Sequence, residues 1–331
     1  MNLEYTNSNL SDIFEHTVSL IGKTIIRNLI IGAIVFVIPL LLLAGAASVL
    51  YSDINGIQQA VADAKGGGNL SMLWTILQAL ALFILATLMY LVATLIGQLA
   101  VSIVVKNEIE TQSITWQKAL TDVFNGILTR AFGFILILIG LLVGAAIIVA
   151  AGFAMVKEIS GALVGLLAVL GIFVGIPIFF YLIIKWFFAF TVIAVENMGI
   201  VDAMRRSWQV VDGYWWRTFG ISLLLSLLTQ FVISIISLPI TFASMWSVYR
   251  DFFTVLGATA GNVSPSSFPE FQKVFSPGIA ISTGVSALLS LMITPVYTVV
   301  MYMDLLGRRF PSMVQSPPTE TGSAILDLNK L

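Results

Sequence analysis

Residues 72–105 read MLWTILQALALFILATLMYLVATLIGQLAVSIVV, without one Asp, Glu, Lys or Arg. A helix that crosses a hydrocarbon core of ~30 Å needs ~20 consecutive apolar residues. It also satisfies its own backbone hydrogen bonds, which an isolated strand in lipid cannot do. The stretch therefore reads as a transmembrane helix. Working outward from it, five more uncharged or nearly uncharged runs appear: Leu29–Leu50, Ala131–Val156, Gly161–Val195, Phe219–Trp246 and Gly278–Met303. At a rise of 1.5 Å per residue, Gly161–Val195 would be about 52 Å long, so it must tilt, kink or overrun the interface. Pro39, Pro177, Pro239 and Pro295 fall inside spans, where neighbours or water can satisfy the freed carbonyls. The expected fold is an all-α integral membrane protein of about six transmembrane helices. Residues 1–310 form one membrane domain, and the Pro-, Ser- and Thr-rich residues 311–331 form a disordered cytoplasmic tail.

Composition agrees. Hydrophobic residues make up 58% of the 331 and charged residues 10%, against about 25% charged in soluble domains. The net charge of −1 offers no basic surface for nucleic acid. The lack of cysteine removes disulfides, thiol catalysis and thiolate metal sites. The first apolar run begins near Leu29, after a polar segment too long for a signal peptide.

Orientation follows from the cations. With the N-terminus inside, Lys23, Arg27, Lys106, Lys118, Arg130, Arg205, Arg206, Arg217, Arg308, Arg309 and Lys330 are cytoplasmic. Lys65, Lys157, Arg250 and Lys273 are external, and Lys185 lies within the fourth span. Amphipathic patterns precede the first, third and fifth spans. Their apolar sets are Ile13, Phe14, Val18, Ile21 and Ile25; Trp116, Leu120, Val123, Phe124 and Ile127; and Ile200, Met204, Trp208, Val211 and Trp215. Each set recurs at helical spacing. Each copy then carries a Gly and, four or five residues on, an Arg: Gly22 and Arg27, Gly126 and Arg130, Gly213 and Arg217. The pattern predicts three units, each an interfacial helix followed by a transmembrane hairpin. A loop at Tyr51–Ser71, a tight turn at Val156–Ser160 and a Phe-rich flap at Ser247–Pro277 join the spans outside.

Candidate functional residues are few. His16 is the only histidine and sits on a polar helix face. No nucleophile–base pair or metal-ligand set can be assembled around it, so no catalytic residue, metal or cofactor is expected. Arg205, Arg206 and Arg217, with Trp208 and Trp216, crowd one interface. Aromatic residues favour headgroup depth and arginine pairs with phosphate, which makes these five a candidate anionic-headgroup site. Lys185, Gln98 and Gln230 are the candidate intramembrane polar groups. A cation at mid-membrane costs ~2.5–3.5 kcal/mol on insertion scales, so Lys185 snorkels, pairs with an acid or lines a wet cavity. Glu196 and Asp304 end their spans in similar places and should face arginines such as Arg205 or Arg308. Polar stripes run along the second span (Thr87, Thr94, Gln98, Ser102), the fifth (Ser222, Ser226, Gln230, Ser234, Ser237) and the sixth (Ser282, Ser286, Ser290, Thr294, Thr298). Such stripes serve interhelical packing or line a hydrated path.

Phe188–Leu224, FAFTVIAVENMGIVDAMRRSWQVVDGYWWRTFGISLL, resembles the membrane domain attached to some bacterial glycerophosphodiester phosphodiesterases and its stand-alone relatives. The shared features are a Glu-x-x-Gly turn (Glu196, Gly199) and an Ala-x-x-Arg-Ser-Trp helix (Ala203, Arg206, Ser207, Trp208). A Gly (Gly213) and a Trp-Arg pair (Trp216, Arg217) follow. The closing YTVVMYMDLLGRR resembles the last span of that domain, with Tyr302, Asp304 and Arg308 in its terminal cluster. The catalytic barrel, with its His and acidic metal ligands, has no counterpart here, so the resemblance implies a membrane module and not a phosphodiesterase. The expectation is a non-enzymatic, multi-pass protein of the bacterial inner membrane with both termini cytoplasmic. It would interact with membrane lipids, anionic ones included, or with a protein partner at the cytoplasmic face, and not with nucleic acid. The alternative is a transporter of small solutes or lipid that uses the stripes of the second, fifth and sixth spans.

Overall fold

A computed structural model describes residues 8–63, 70–155, 173–175, 177–257 and 277–310. It is helical throughout, with no strand among the described residues. The helices are α1 (Leu10–Asp63), α2 (Leu70–Ile109), α3 (Trp116–Asp122), α4 (Leu128–Met155), α5 (177–185), α6 (Ala189–Glu196), α7 (Ile200–Val211), α8 (Trp215–Gly257) and α9 (Pro277–Arg309). Six helical segments are long and apolar enough to cross a membrane: Leu10–Ala46, Leu80–Ile109, Trp116–Ile137, Phe173–Glu196, Trp215–Ala243 and Ile281–Arg309.

Local chemistry sets the helix ends. Asp12 accepts from the Asn9 N–H at 2.8 Å, holding the first turn of α1 where the helix dipole favours an acid. At the end of α2, Thr111 has φ +59° and the Gln112 N–H reaches back to the Asn107 carbonyl at 2.8 Å. That six-to-one bond is a Schellman closure, with threonine where glycine is usual. Asn197 ends α6 at φ +55°, and the Thr115 side chain caps α3.

The repeat glycines divide into two kinds. Gly126 has φ +110° and breaks the helix at residues 123–127; Gly213 has φ +79° and separates α7 from α8. Such angles cost an L side chain roughly 1–2 kcal/mol and cost glycine almost nothing. Gly22, by contrast, lies inside an unbroken α1. The first copy is therefore no separate helix. The sequence around Gly22 is otherwise a good helix, and one glycine there costs only about 1 kcal/mol.

Helix α1 packs against α2 and α9, α2 also meets α9, and α8 lies along α9. The short helices α6 and α7 fill one end of this group, against α2, α4 and α9. The densest core lies at that end. It includes Leu99, Val101 and Val104 of α2, Val192 and Ile193 of α6, Val210 of α7, and Val296 and Val300 of α9. Farther along the bundle, Leu41, Leu91, Leu136, Leu227, Phe231 and Leu238 are exposed, as lipid-facing residues would be. Close approach on this axis depends on glycine: a Cβ on Gly97 would stand 2.8 Å from Leu291, and one on Gly32 would stand 2.6 Å from Leu288.

Three expectations change. The first amphipathic face packs only in part: Ile13 is buried and Ile21 packs on the core, but Phe14, Val18 and Ile25 are exposed, while Thr17, Leu20, Thr24, Asn28 and Ile31 are buried. In lipid the apolar face has no reason to turn inward. The buried hydroxyls bond to their own helix, Thr17 to the Ile13 carbonyl at 2.7 Å and Thr24 to the Leu20 carbonyl at 2.8 Å. Secondly, α1 continues as helix through most of the loop expected at Tyr51–Ser71, and α8 continues to Gly257, well into the expected flap. Thirdly, the helix expected before Leu29 runs without a break from Leu10 into the first span. The turn at Val156–Ser160, the phenylalanines Phe268, Phe271 and Phe275, and the tail from Pro311 lie outside the described residues.

Candidate functional site

The chemistry-bearing groups gather at the end of the bundle that holds α6 and α7. Three arginines, one per repeat copy, each clasp the far end of another span. Arg27 pairs with Glu108 near the end of α2 at 2.5 Å and donates to the Ile114 carbonyl at 3.3 Å. Arg130 donates to the carbonyl and side-chain oxygen of Asn197, just past α6, both at 2.5 Å. Arg217 pairs with Asp304 near the end of α9 at 3.0 Å and donates to the Ser8 carbonyl at 2.7 Å. Asp304 also accepts from Arg308 at 3.1 Å and from the Ser8 N–H at 2.8 Å. It is 1% exposed, and its buried charge is tolerable because the pairing is this complete.

A second cluster surrounds α7. Arg206 and Ser207 lie on its buried face. Arg206 stands 3.4 Å from Glu196, and its guanidinium lies 4.4 Å from the centre of the Phe310 ring. Tyr302 donates a hydrogen bond to the other oxygen of Glu196. Ser207 accepts from the Phe188 N–H at 3.2 Å and donates to the Lys185 carbonyl at 2.8 Å. It thereby pins α7 to the turn between α5 and α6.

Lys185 is 2% exposed and pairs with Asp212 at 2.8 Å. Its ammonium also lies 4.9 Å from the Trp208 ring centre and 5.6 Å from that of Tyr181, within cation–π reach. The hydrogen bond and charge of Lys185 hold the Asp212 carboxyl below the usual carboxylate range. Arg309, 3.9 Å away, acts in the same direction. Trp215 stacks on Tyr181 and Phe219, and Trp216 meets it edge-on.

The five residues of the expected headgroup site are thus divided. Arg206 and Arg217 turn inward onto carboxylates, Trp208 leans on Lys185, and Arg205 and Trp216 face out, Trp216 at 76% exposure. Adjacent helical residues point about 100° apart, which is why Arg205 and Arg206 part company. Glu196 faces Arg206 rather than Arg205, and Asp304 takes both Arg217 and Arg308. Of the fates open to Lys185, it takes pairing with an acid. Asp212 and Ser207 escaped the sequence reading as functional partners; the only signal for Ser207 was its place between Arg206 and Trp208.

The polar stripes meet. Gln98 and Ser102 of α2 line a cavity of about 140 Å³ with Thr294 and Thr298 of α9. Gln230 of α8 lines another of about 320 Å³ with Tyr90 of α2 and Ser282, Ser286 and Ser290 of α9. Ser226 bonds to Tyr297 at 3.1 Å and Thr241 to Ser282 at 2.5 Å, joining α8 to α9.

A family model described as a domain of unknown function, DUF7847, matches residues 117–305, more than half of the chain. No curated protein and no solved structure matches it.

Proposed function

Since the chain belongs to the DUF7847 family, whose description assigns no activity, we propose a function from the site itself: a non-enzymatic membrane module that holds anionic lipid headgroups at its cytoplasmic surface. One observation carries this reading. Within the crowded Arg/Trp run, Arg206 and Arg217 are committed to Glu196 and Asp304, while Arg205 and Trp216 face outward beside them. An exposed arginine next to an exposed tryptophan suits the headgroup layer, where the ring sits at the boundary and the guanidinium meets phosphate. In this reading the Lys/Arg-rich end of the bundle is cytoplasmic and the chain sits in a bacterial inner membrane. The three repeat units are hairpins led by segments at the membrane surface. The likeness to the membrane domain of glycerophosphodiester phosphodiesterases fits a module that can stand without a catalytic barrel.

Tryptophan quenching by brominated anionic lipid in nanodiscs tests the proposal. One cation near an anionic surface contributes ~1 kcal/mol, so Arg205→Gln should weaken anionic-lipid binding about fivefold. Arg205→Lys should retain most of it, because the charge remains. Equal quenching in wild type and Arg205→Gln would reduce Arg205 to an orientation anchor and end the proposal.

A further inference from the structure

The polar stripe of α9 has a strict spacing of four: Ser282, Ser286, Ser290, Thr294 and Thr298, continued by Tyr302. Four residues turn an α-helix by about 400°, so each step drifts about 40° around the axis. A stripe of this spacing is a spiral, and its members hand over from one neighbour to the next. Ser282 bonds to Thr241 of α8. Ser286 and Ser290 face the cavity shared with Tyr90 of α2 and Gln230 of α8. Thr294 and Thr298 face the cavity shared with Gln98 of α2 and Thr191 of α6. Tyr302 donates to Glu196 at the end of α6. From Ser282 to Tyr302 the rise is about 30 Å, the thickness of the hydrocarbon core.

One hydroxyl contact links the two linings. Ser290 lines one and Thr294 the other, and their hydroxyls stand 3.4 Å apart. Both volumes admit several waters. Thr191, 4% exposed, lines the smaller cavity, and its hydroxyl has no partner among the described residues. A water there would supply one. Beside these hydroxyls and amides stand Leu99, Phe187, Phe190 and Pro295 in the smaller cavity and Ile233 and Ala287 in the larger, and neither described lining holds a charged group, so neither is built for a solute ion. At the end stands a carboxylate with a phenol on one oxygen and Arg206 3.4 Å from the other. The Glu196 side chain keeps 16% exposure, a way out at the Lys/Arg-rich end.

We propose that this spiral is a water-filled path that conducts protons to Glu196. Each hydroxyl or water accepts a proton on a lone pair and releases its own to the next group. Tyr302 takes a proton from the water on its Thr298 side and passes its phenolic proton to Glu196, which becomes the neutral acid. Glu196 then releases that proton to water at the exposed end and returns to the carboxylate facing Arg206. No oxidant or co-reactant is needed. The path is independent of lipid binding by Arg205.

The test uses the full chain in liposomes loaded with a pH-sensitive dye, with a potassium diffusion potential as the driving force. Wild type should pass protons well above protein-free liposomes, and Glu196→Gln should cut the flux at least tenfold. Glu196 also holds Arg206, so Thr294→Val, which touches no ion pair, provides a second reading and should cut the flux at least threefold. In the native chain, which has no cysteine, Ser290→Cys and Thr294→Cys should react with a small water-soluble thiosulfonate. Flux equal to that of empty liposomes, flux unchanged in both variants, or cysteines inert at both positions would each overturn the path.

Discussion

A cation that is 2% exposed inside an apolar bundle needs strong partners, and Lys185 has Asp212 and two aromatic faces. The pair is lopsided, because the Asp212 side chain is 56% exposed. Removing either end should therefore have unequal effects. Lys185→Met leaves a solvated carboxylate and should change stability by less than about 1 kcal/mol. Asp212→Asn strands a buried ammonium and should lower the thermal midpoint by clearly more. The pH dependence has a definite sign. Asp212 is depressed in the fold, so its contribution is complete above the unfolded value of about 3.9 and is lost as pH falls through the lower folded value. Trp208 lies beside Lys185 and reports this: emission should stay flat down to about pH 4 and shift below it, with the step absent in Asp212→Asn. A step near neutral pH would contradict the assignment. At this scale the sequence was legible in kind and not in pairing. The sequence shows Lys185 as a cation within a span, and Glu196 and Asp304 as acids placed to face arginines. The partner of Lys185 lay 27 residues on, in a turn whose position depends on how α7 folds back.

The three repeat glycines make a clean comparison between elements. A Cβ on Gly22, Gly126 or Gly213 would meet nothing within 4 Å, so backbone conformation alone sets the effect of alanine. In α1, Gly22→Ala should stabilise by about 0.5–1 kcal/mol. Gly126→Ala and Gly213→Ala, at φ +110° and +79°, should destabilise by about 1–2 kcal/mol each. Thermal unfolding in detergent reads all three, and a loss at Gly22 equal to that at Gly213 would mean α1 is broken after all. The repeat was readable because Gly and Arg recur at one spacing. That one copy is continuous was not, since helix propensity around Gly22 differs little from that around Gly126. The apolar sets of the second and third segments do pack on the core, through Trp116, Leu120, Val123 and Ile127 and through Ile200, Met204, Val211 and Trp215; the first set departs, in part, for a related reason. Apolar periodicity locates a core in water, whereas in a membrane Phe14 and Val18 are free to face outward and Thr24 and Asn28 are buried.

For the whole molecule, the long uncharged runs made the six apolar helices legible from sequence. Which helices touch was not legible, because lipid-facing and helix-facing residues are equally apolar. The cation bias predicts that Gln112→Cys, between α2 and α3, and Ser323→Cys, in the tail, stay unlabelled by an impermeant maleimide in intact cells. Ser266→Cys should react. Labelling of Ser323→Cys from outside would refute the orientation. The clamp on Ser8 bears on how the chain is made. Its backbone N–H is held by Asp304, 296 positions away, and its carbonyl by Arg217 and Arg308. A ribosome adding ~5–20 residues per second needs about 15–60 s to supply those partners after Ser8 emerges. For that interval Ser8 has none of these partners, although Arg27 can already hold α1 to α2 through Glu108, and translation of the last helix closes the bundle on its own beginning. A chain stopped short of Asp304 would be left with its N-terminal strap undone, a mark by which cellular quality control could tell an unfinished copy from a complete one.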